Sequence, residues 1–197
     1  MTNNKKKREQ IKESGLTYDD YAALDDENRY ELVEGQLELM SPSPSTIHQM
    51  VNFEIQKNLT NSCEQSYFIL YAPIDIILSS TEVRQPDIVL VHRNRIDILT
   101  NRGIEGTPDL VIEILSPSSL KRYKIDKLNT YAQYEIPDYW IVDPNSFILE
   151  QYILSKSRYD MNNIFQDEEI VTSPNLDCVS FTMKNIRENT PVLKSDT

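Results

Sequence analysis

Pro108-Asp109-Leu110-Val111-Ile112-Glu113-Ile114-Leu115-Ser116-Pro117 sets Glu113 among five aliphatic residues, bounded by proline on both sides. A short apolar run between turn residues reads as a buried strand. With a period of two, Asp109, Val111, Glu113 and Leu115 share one face, and Leu110, Ile112 and Ile114 the other. A mid-strand charge in such surroundings is costly unless it is paired or bound to a metal. The plainer account of Glu113 is a salt bridge to a nearby Lys or Arg. The sharper one is a site.

Upstream, Asp87 opens a second apolar strand, Asp87-Ile-Val-Leu-Val91, directly after Gln85-Pro86. Alone, it reads as a hydrogen-bonding strand start. Two carboxylates on neighbouring strands facing one cleft instead form an oxygen-lined site for a hard cation such as Mg²⁺, with Mn²⁺ as a substitute. Downstream, a helix from about Ser119 to Glu135, closed by Pro137, carries Lys121, Arg122, Lys124 and Lys127 against Asp126. Its predicted buried stripe is Ile125, Leu128 and Ala132, with Lys124, Lys127, Tyr131 and Tyr134 on adjoining faces. Most of these charges read as solvated. A single lysine reaching back over the strand end can orient water or stabilise charge on a phosphate.

The remaining elements give an order of helix, three strands, helix, strands. Thr17 caps a short helix, Tyr18 to Leu24, with Asp19 and Asp20 in its first turn. Arg29–Met40 reads as a hairpin turning at Glu34-Gly35. A Ser-Pro loop then delivers a helix from Thr46 to about Leu59. Tyr67–Leu78 reads as one strand-like run, and Tyr139–Asp143 and Phe147–Leu154 as strands about Pro144-Asn145. Further strands run through Ile170 and Phe181 into a frayed end. The expected class is α/β (α+β): a central mixed sheet flanked by helices, preceded by a helix and a hairpin. At 197 residues, the chain is expected to hold one domain, residues 17–190, between a disordered basic tail, 1–16, and a flexible end, 191–197.

Scarcity excludes several functions. Four glycines, Gly15, Gly35, Gly103 and Gly106, cannot build a dinucleotide fingerprint or a phosphate loop. No Gly-x-Ser-x-Gly elbow occurs. His48, His92, Cys63 and Cys178 do not form a zinc cluster. The two cysteines lie far apart and are not expected to form a disulfide framework, which suits a cytoplasmic protein. The longest apolar run, Tyr67–Leu78, is interrupted by Pro73 and Asp75 and is too short to span a bilayer.

Taken together, Arg84-Gln-Pro-Asp87-Ile-Val-Leu-Val, Pro108-Asp-Leu-Val-Ile-Glu113-Ile-Leu-Ser-Pro-Ser, Asp126-Lys127-Leu-Asn-Thr-Tyr-Ala132 and Ile136-Pro-Asp-Tyr-Trp-Ile-Val-Asp-Pro144 resemble the Uma2 family (DUF820). That family is assigned to the PD-(D/E)XK restriction-endonuclease-like superfamily. The hairpin Arg29-Tyr-Glu-Leu-Val-Glu-Gly-Gln-Leu, the Ser-Pro loop and His48 match its N-terminal part, so the likeness runs over roughly residues 17 to 190.

The resemblance implies a Mg²⁺-dependent endonuclease acting on DNA. Asp87 matches the proline-preceded aspartate and Glu113 the acid of the (D/E)XK element. The lysine two residues later is absent, because position 115 is leucine. In the family that lysine is supplied by the following helix, and Lys127 stands at that position. Glu31 matches an additional carboxylate on the metal side. Asp87, Glu113 and the Ile114 carbonyl would hold the ion, and Lys127 would position water or neutralise the scissile phosphate. His48 is an auxiliary hydrogen-bonding or structural group. Tyr123 stands where the family usually shows an aspartate. Leu115 and Tyr123 together motivate the rival expectation, a catalytically idle nuclease-like module that binds nucleic acid or protein.

Thirty-one Asp and Glu against twenty Lys and Arg leave a formal charge of −11. That argues against a protein that coats nucleic acid. Eight acids crowd residues 17–39, with Arg29 the one base among them. Arg84, Arg93, Arg95, Arg102 and the Lys121–Lys127 helix are expected to supply a local positive field near the acids. The expected DNA binding is weak and metal-dependent, and a homodimer is the simplest way to cut both strands.

Overall fold

The computed structural model describes residues 15–40, 43–116 and 122–193. In chain order the elements are α1 (Tyr18–Ala22), β1 (Tyr30–Val33), β2 (Gln36–Leu39), α2 (Thr46–Cys63), β3 (Tyr67–Tyr71), β4 (Ile76–Ser79), β5 (Glu82–Arg84) and β6 (Ile88–His92). After a 3₁₀ segment, Arg93–Ile98, come β7 (Leu99–Thr100), β8 (Gly103–Glu105) and β9 (Leu110–Ile114). A π-helical stretch, Arg122–Lys127, runs into α3 (Leu128–Gln133). The chain continues through β10 (Asp138–Asp143), β11 (Ile148–Ser155), β12 (Arg158–Phe165), β13 (Ile170–Val171), β14 (Phe181–Thr182) and α4 (Met183–Asn189).

The class is mixed α/β, as expected. Its central sheet has the order β12-β11-β10-β9-β6-β3. β9 pairs antiparallel with β6 and parallel with β10. All five of its residues are buried, and the two faces predicted from its alternation serve two cores. Leu110, Ile112 and Ile114 pack with Val51, Ile55 and Leu59 of α2 and with Met183 and Ile186 of α4. Val111 and Leu115 face Tyr131 and Ala132 of α3. Helices therefore cover both sides of the strand that carries Glu113.

The hairpin belongs to a second six-stranded sheet, ordered β2-β1-β5-β4-β8-β7, which the expected order of elements did not contain. Glu34 and Gly35 turn it with φ of 50° and 73°, the left-handed pair of a two-residue hairpin turn. Tyr67–Leu78 is not one strand. It divides into β3 of the central sheet and β4 of the second, because Pro73 between them has no N–H to give a ladder. Thr17 caps α1 as expected, and it forms a reciprocal capping box with Asp20, each side chain accepting the other's backbone N–H.

Three other expectations are corrected. Ile125 is 50% exposed rather than buried beside Leu128 and Ala132. The π-helical stretch widens the turn, so the 3.6-residue spacing fails across it. The end of the chain forms α4 as well as strands, capped by Thr182, whose hydroxyl accepts from the Asn185 N–H. Cys63 and Cys178 are joined in a disulfide. They are 115 residues apart in sequence, yet the return of the chain onto the α2 side brings their Cα atoms to 5.1 Å. Residues 1–14, Ser119–Lys121 at the expected helix start, and 194–197 lie outside the described residues, as does the side chain of Tyr123. Among the described residues no helix is long and apolar enough to cross a membrane.

Candidate active site

The register of the central sheet sets the first relationship. β6 and β9 pair Ile88 with Ile112, so one step further the ladder sets Asp87 across from Glu113. Asp87 Oδ2 accepts the Ile114 N–H at 2.8 Å. It also meets His48 Nε2 at 3.2 Å. His48 lies in the first turn of α2, where Ser45 Oγ accepts its backbone N–H. Since Asp87 accepts, Nε2 is the nitrogen assigned the hydrogen. The opposite ring atom, Nδ1, is buried without a hydrogen-bond partner. Burial alone would lower the His48 pKa, but the bond to Asp87 and the Asp87 charge outweigh it and hold it above the ordinary value.

Glu113, on the other face of the strand from Ile114, is 1% exposed. Its Oε1 accepts from Lys127 Nζ at 2.6 Å and from the Tyr131 hydroxyl at 2.9 Å. Lys127 is itself buried, and its Nζ also lies 3.0 Å from Glu31 Oε1. Burial pushes Glu113 up to about 7, with Lys127 opposing the rise and Asp87 and Glu31 adding to it. Glu31 comes from β1 in the second sheet. Its Oε1 accepts the Gln85 N–H at 3.0 Å, and its Oε2 lies 3.6 Å from Arg84 Nη1. The site thus forms where the two sheets and α3 meet. Asp87, Glu113, Lys127, Glu31 and His48 are all brought together there.

Arg84, Glu82, Thr130 and Tyr131 also belong to this cluster. Arg84 is 1% exposed, binds Glu82 through Nε at 2.6 Å and Thr130 through Nη2 at 3.0 Å. Arg84, expected to contribute to a local positive field near the acids, is instead buried in an ion pair three residues before Asp87. Tyr131 carries an i+4 spacing from Lys127, the signal that both side chains leave one helix face. The other described basic residues named for the positive field have partners within the chain. Arg95 pairs with Asp109, Arg102 with Asp19 and Glu105, and Lys124 with Glu150. Arg93 donates to the Glu64 carbonyl and lies over the Phe68 ring.

The donor set fits a hard divalent cation. Glu31, Glu82 and Glu113 are three buried carboxylates against two buried cations, Arg84 and Lys127, before Asp87 is added. Burial of Glu113 beside Asp87 and Glu31 disfavours its charged form, and a bound cation would favour it. One oxygen of each acid is taken: Oδ2 of Asp87 and Oε1 of Glu113 accept the hydrogen bonds. Oδ1 of Asp87 and Oε2 of Glu113 accept none among the described residues. Among those residues no group of three or more His, Cys, Asp and Glu side chains is placed to hold an ion unaided. Mg²⁺ commonly takes only one or two carboxylates, completing its shell with water, backbone oxygen and substrate phosphate.

Residues 17–183 match the family model Uma2, described as "Putative restriction endonuclease". A solved structure from Anabaena variabilis ATCC 29413, titled as a "putative nuclease belonging to DUF820", shares the fold with a TM-score of 0.72 at 18% identity. The match covers 89% of this chain and 99% of that one. No match was found among curated proteins.

Proposed function

The chain belongs to the Uma2 family, and from that footing we propose that it is a Mg²⁺-dependent endonuclease hydrolysing phosphodiester bonds in DNA. One observation carries the reading: Asp87 at the entry to β6, Glu113 of β9 and Lys127 at the end of the π-helical stretch converge on one cluster with Glu31 behind them. Asp87 Oδ1, Glu113 Oε2 and the Ile114 carbonyl would hold the cation, with Mn²⁺ able to replace Mg²⁺. Bound there, the ion supplies Lewis-acid polarisation of a phosphoryl oxygen and activation of water.

The chain's own residues do the rest. His48 holds Asp87 Oδ2, so that carboxylate cannot turn away from Glu113. Lys127 brings a fixed ammonium to the acids and stabilises negative charge that builds on the phosphoryl oxygens. Glu31 and Gln85 hold that ammonium's surroundings rigid. With a formal charge of −11, the protein binds DNA weakly and chiefly through the cation. A DNA substrate suits a cytoplasmic protein, whereas the Cys63–Cys178 bridge removes the cysteine argument for that compartment.

A second reading, a catalytically idle nuclease-like module, is favoured by the ion pair of Lys127 with Glu113 and Glu31, which closes without a metal. Incubation of plasmid and single-stranded DNA with Mg²⁺, Mn²⁺ or EDTA separates the two. The endonuclease reading expects cleavage that EDTA stops and that Glu113→Ala and Lys127→Ala abolish. Undiminished cleavage by folded Glu113→Ala sinks it. A folded wild type that neither cuts DNA nor gains stability from Mg²⁺ or Mn²⁺ establishes the idle module, because binding to the native state must stabilise it.

A further inference from the structure

Lys127 and Tyr131 donate to the same oxygen of Glu113, and the reading above uses only the lysine. Tyr131 is fully buried on α3, four residues after Lys127, so the two side chains leave the helix on one face. Its ring packs edge-on to Tyr139 with centroids 5.1 Å apart, which fixes the direction of its hydroxyl.

A carboxylate held by one flexible ammonium can rotate and offer either oxygen. Held by two donors, from the end of the π-helical stretch and from α3, it offers only the other. We propose that Tyr131 is a positioning residue for the cation: with Lys127 it saturates Glu113 Oε1 and leaves Oε2 as the single ligand atom of that side chain. The proposal rests on the metal-site reading of Glu113 and extends it to a residue outside the acid and lysine set. Partners of this kind commonly change metal affinity by about 10- to 100-fold when removed.

The test measures Mn²⁺ binding by calorimetry without nucleic acid, alongside melting curves of the metal-free proteins. Tyr131→Phe keeps the ring and deletes the donor. Tyr159→Phe is the matched control, since its buried hydroxyl donates to the Ile136 carbonyl in the same tyrosine cluster. Wild type is expected to bind Mn²⁺, Glu113→Ala to lose binding, and Tyr159→Phe to bind like wild type at a lower melting temperature. Tyr131→Phe is expected to bind roughly tenfold or more weakly while remaining folded. Wild-type affinity in Tyr131→Phe, with binding lost in Glu113→Ala, overturns the role of Tyr131 and leaves the metal site standing. Wild-type affinity in Glu113→Ala overturns both.

Discussion

Lys127 Nζ lies 2.6 Å from Glu113 Oε1, although fourteen residues separate them and Leu115 occupies the strand position two beyond the acid. The ammonium reaches the carboxylate from the helix that covers the sheet. Leu115, on the same strand face, packs instead among the apolar residues beneath α3. What matters for the chemistry is the point in space to which the charge is delivered.

Lys127 is buried between two carboxylates, so its loss is also a stability event. Lys127→Met leaves Glu31 and Glu113 without their shared partner, and breaking a buried pair in this way costs roughly 3–5 kcal/mol. Urea unfolding at pH 7 checks this. A loss under about 1 kcal/mol, the range of exposed pairs, would show that the pair contributes little.

If position in space is what counts, the ammonium can be moved. Lys127→Ala is expected to lower cleavage by roughly 10²–10³-fold, the scale of losing one charge-stabilising donor. Adding Leu115→Lys to that variant returns a lysine to the face of Glu113 and is expected to recover part of the rate. Single-turnover cleavage at saturating Mg²⁺ reads the outcome; a double variant no faster than Lys127→Ala refutes the idea.

Asp138 supplies a pH prediction away from the site. Its Oδ1 accepts from Ser173 and Trp140 and its Oδ2 from Asn175. Burial nevertheless outweighs those bonds and raises its pKa above the ordinary aspartate value. The native state therefore holds this proton longer than the unfolded chain. Its contribution to stability is full below the unfolded pKa and is lost as pH rises through the folded one. Asp138→Asn removes that loss, so the stability of the variant relative to wild type is expected to rise between pH 3 and pH 7. Denaturant titrations of both proteins across that range test the sign, and a parallel pair of curves contradicts it.

The Cys63–Cys178 bridge closes a loop of 115 residues and ties the end of α2 to the segment before β14. Cys63→Ser is expected to lower stability by about 2–4 kcal/mol under oxidising conditions. Full reduction of wild type is expected to bring it close to the variant. Equal stability of oxidised and reduced wild type, by guanidinium unfolding, would count against the bridge as a stabilising link.

Local pattern was legible without a structure wherever one residue's neighbours in sequence are its neighbours in space. The alternation of Leu110–Leu115 sorted its side chains onto two faces, Thr17 and Asp20 announced a cap, and Glu34-Gly35 a turn. Asp87 and Glu113 stood out because a carboxylate beside aliphatic strand residues needs a compensating partner. Only the tertiary structure decided what that partner is. Glu31 reaches the site from a different sheet, Tyr131 and Lys127 from a helix whose π-helical start displaced Ile125, and Arg84 by burial between Glu31 and Glu82. Cys63 and Cys178 met for the same reason. Periodicity reports which way a side chain points from its own backbone, whereas a site is made where separate elements pack, and that packing is set by the whole core at once.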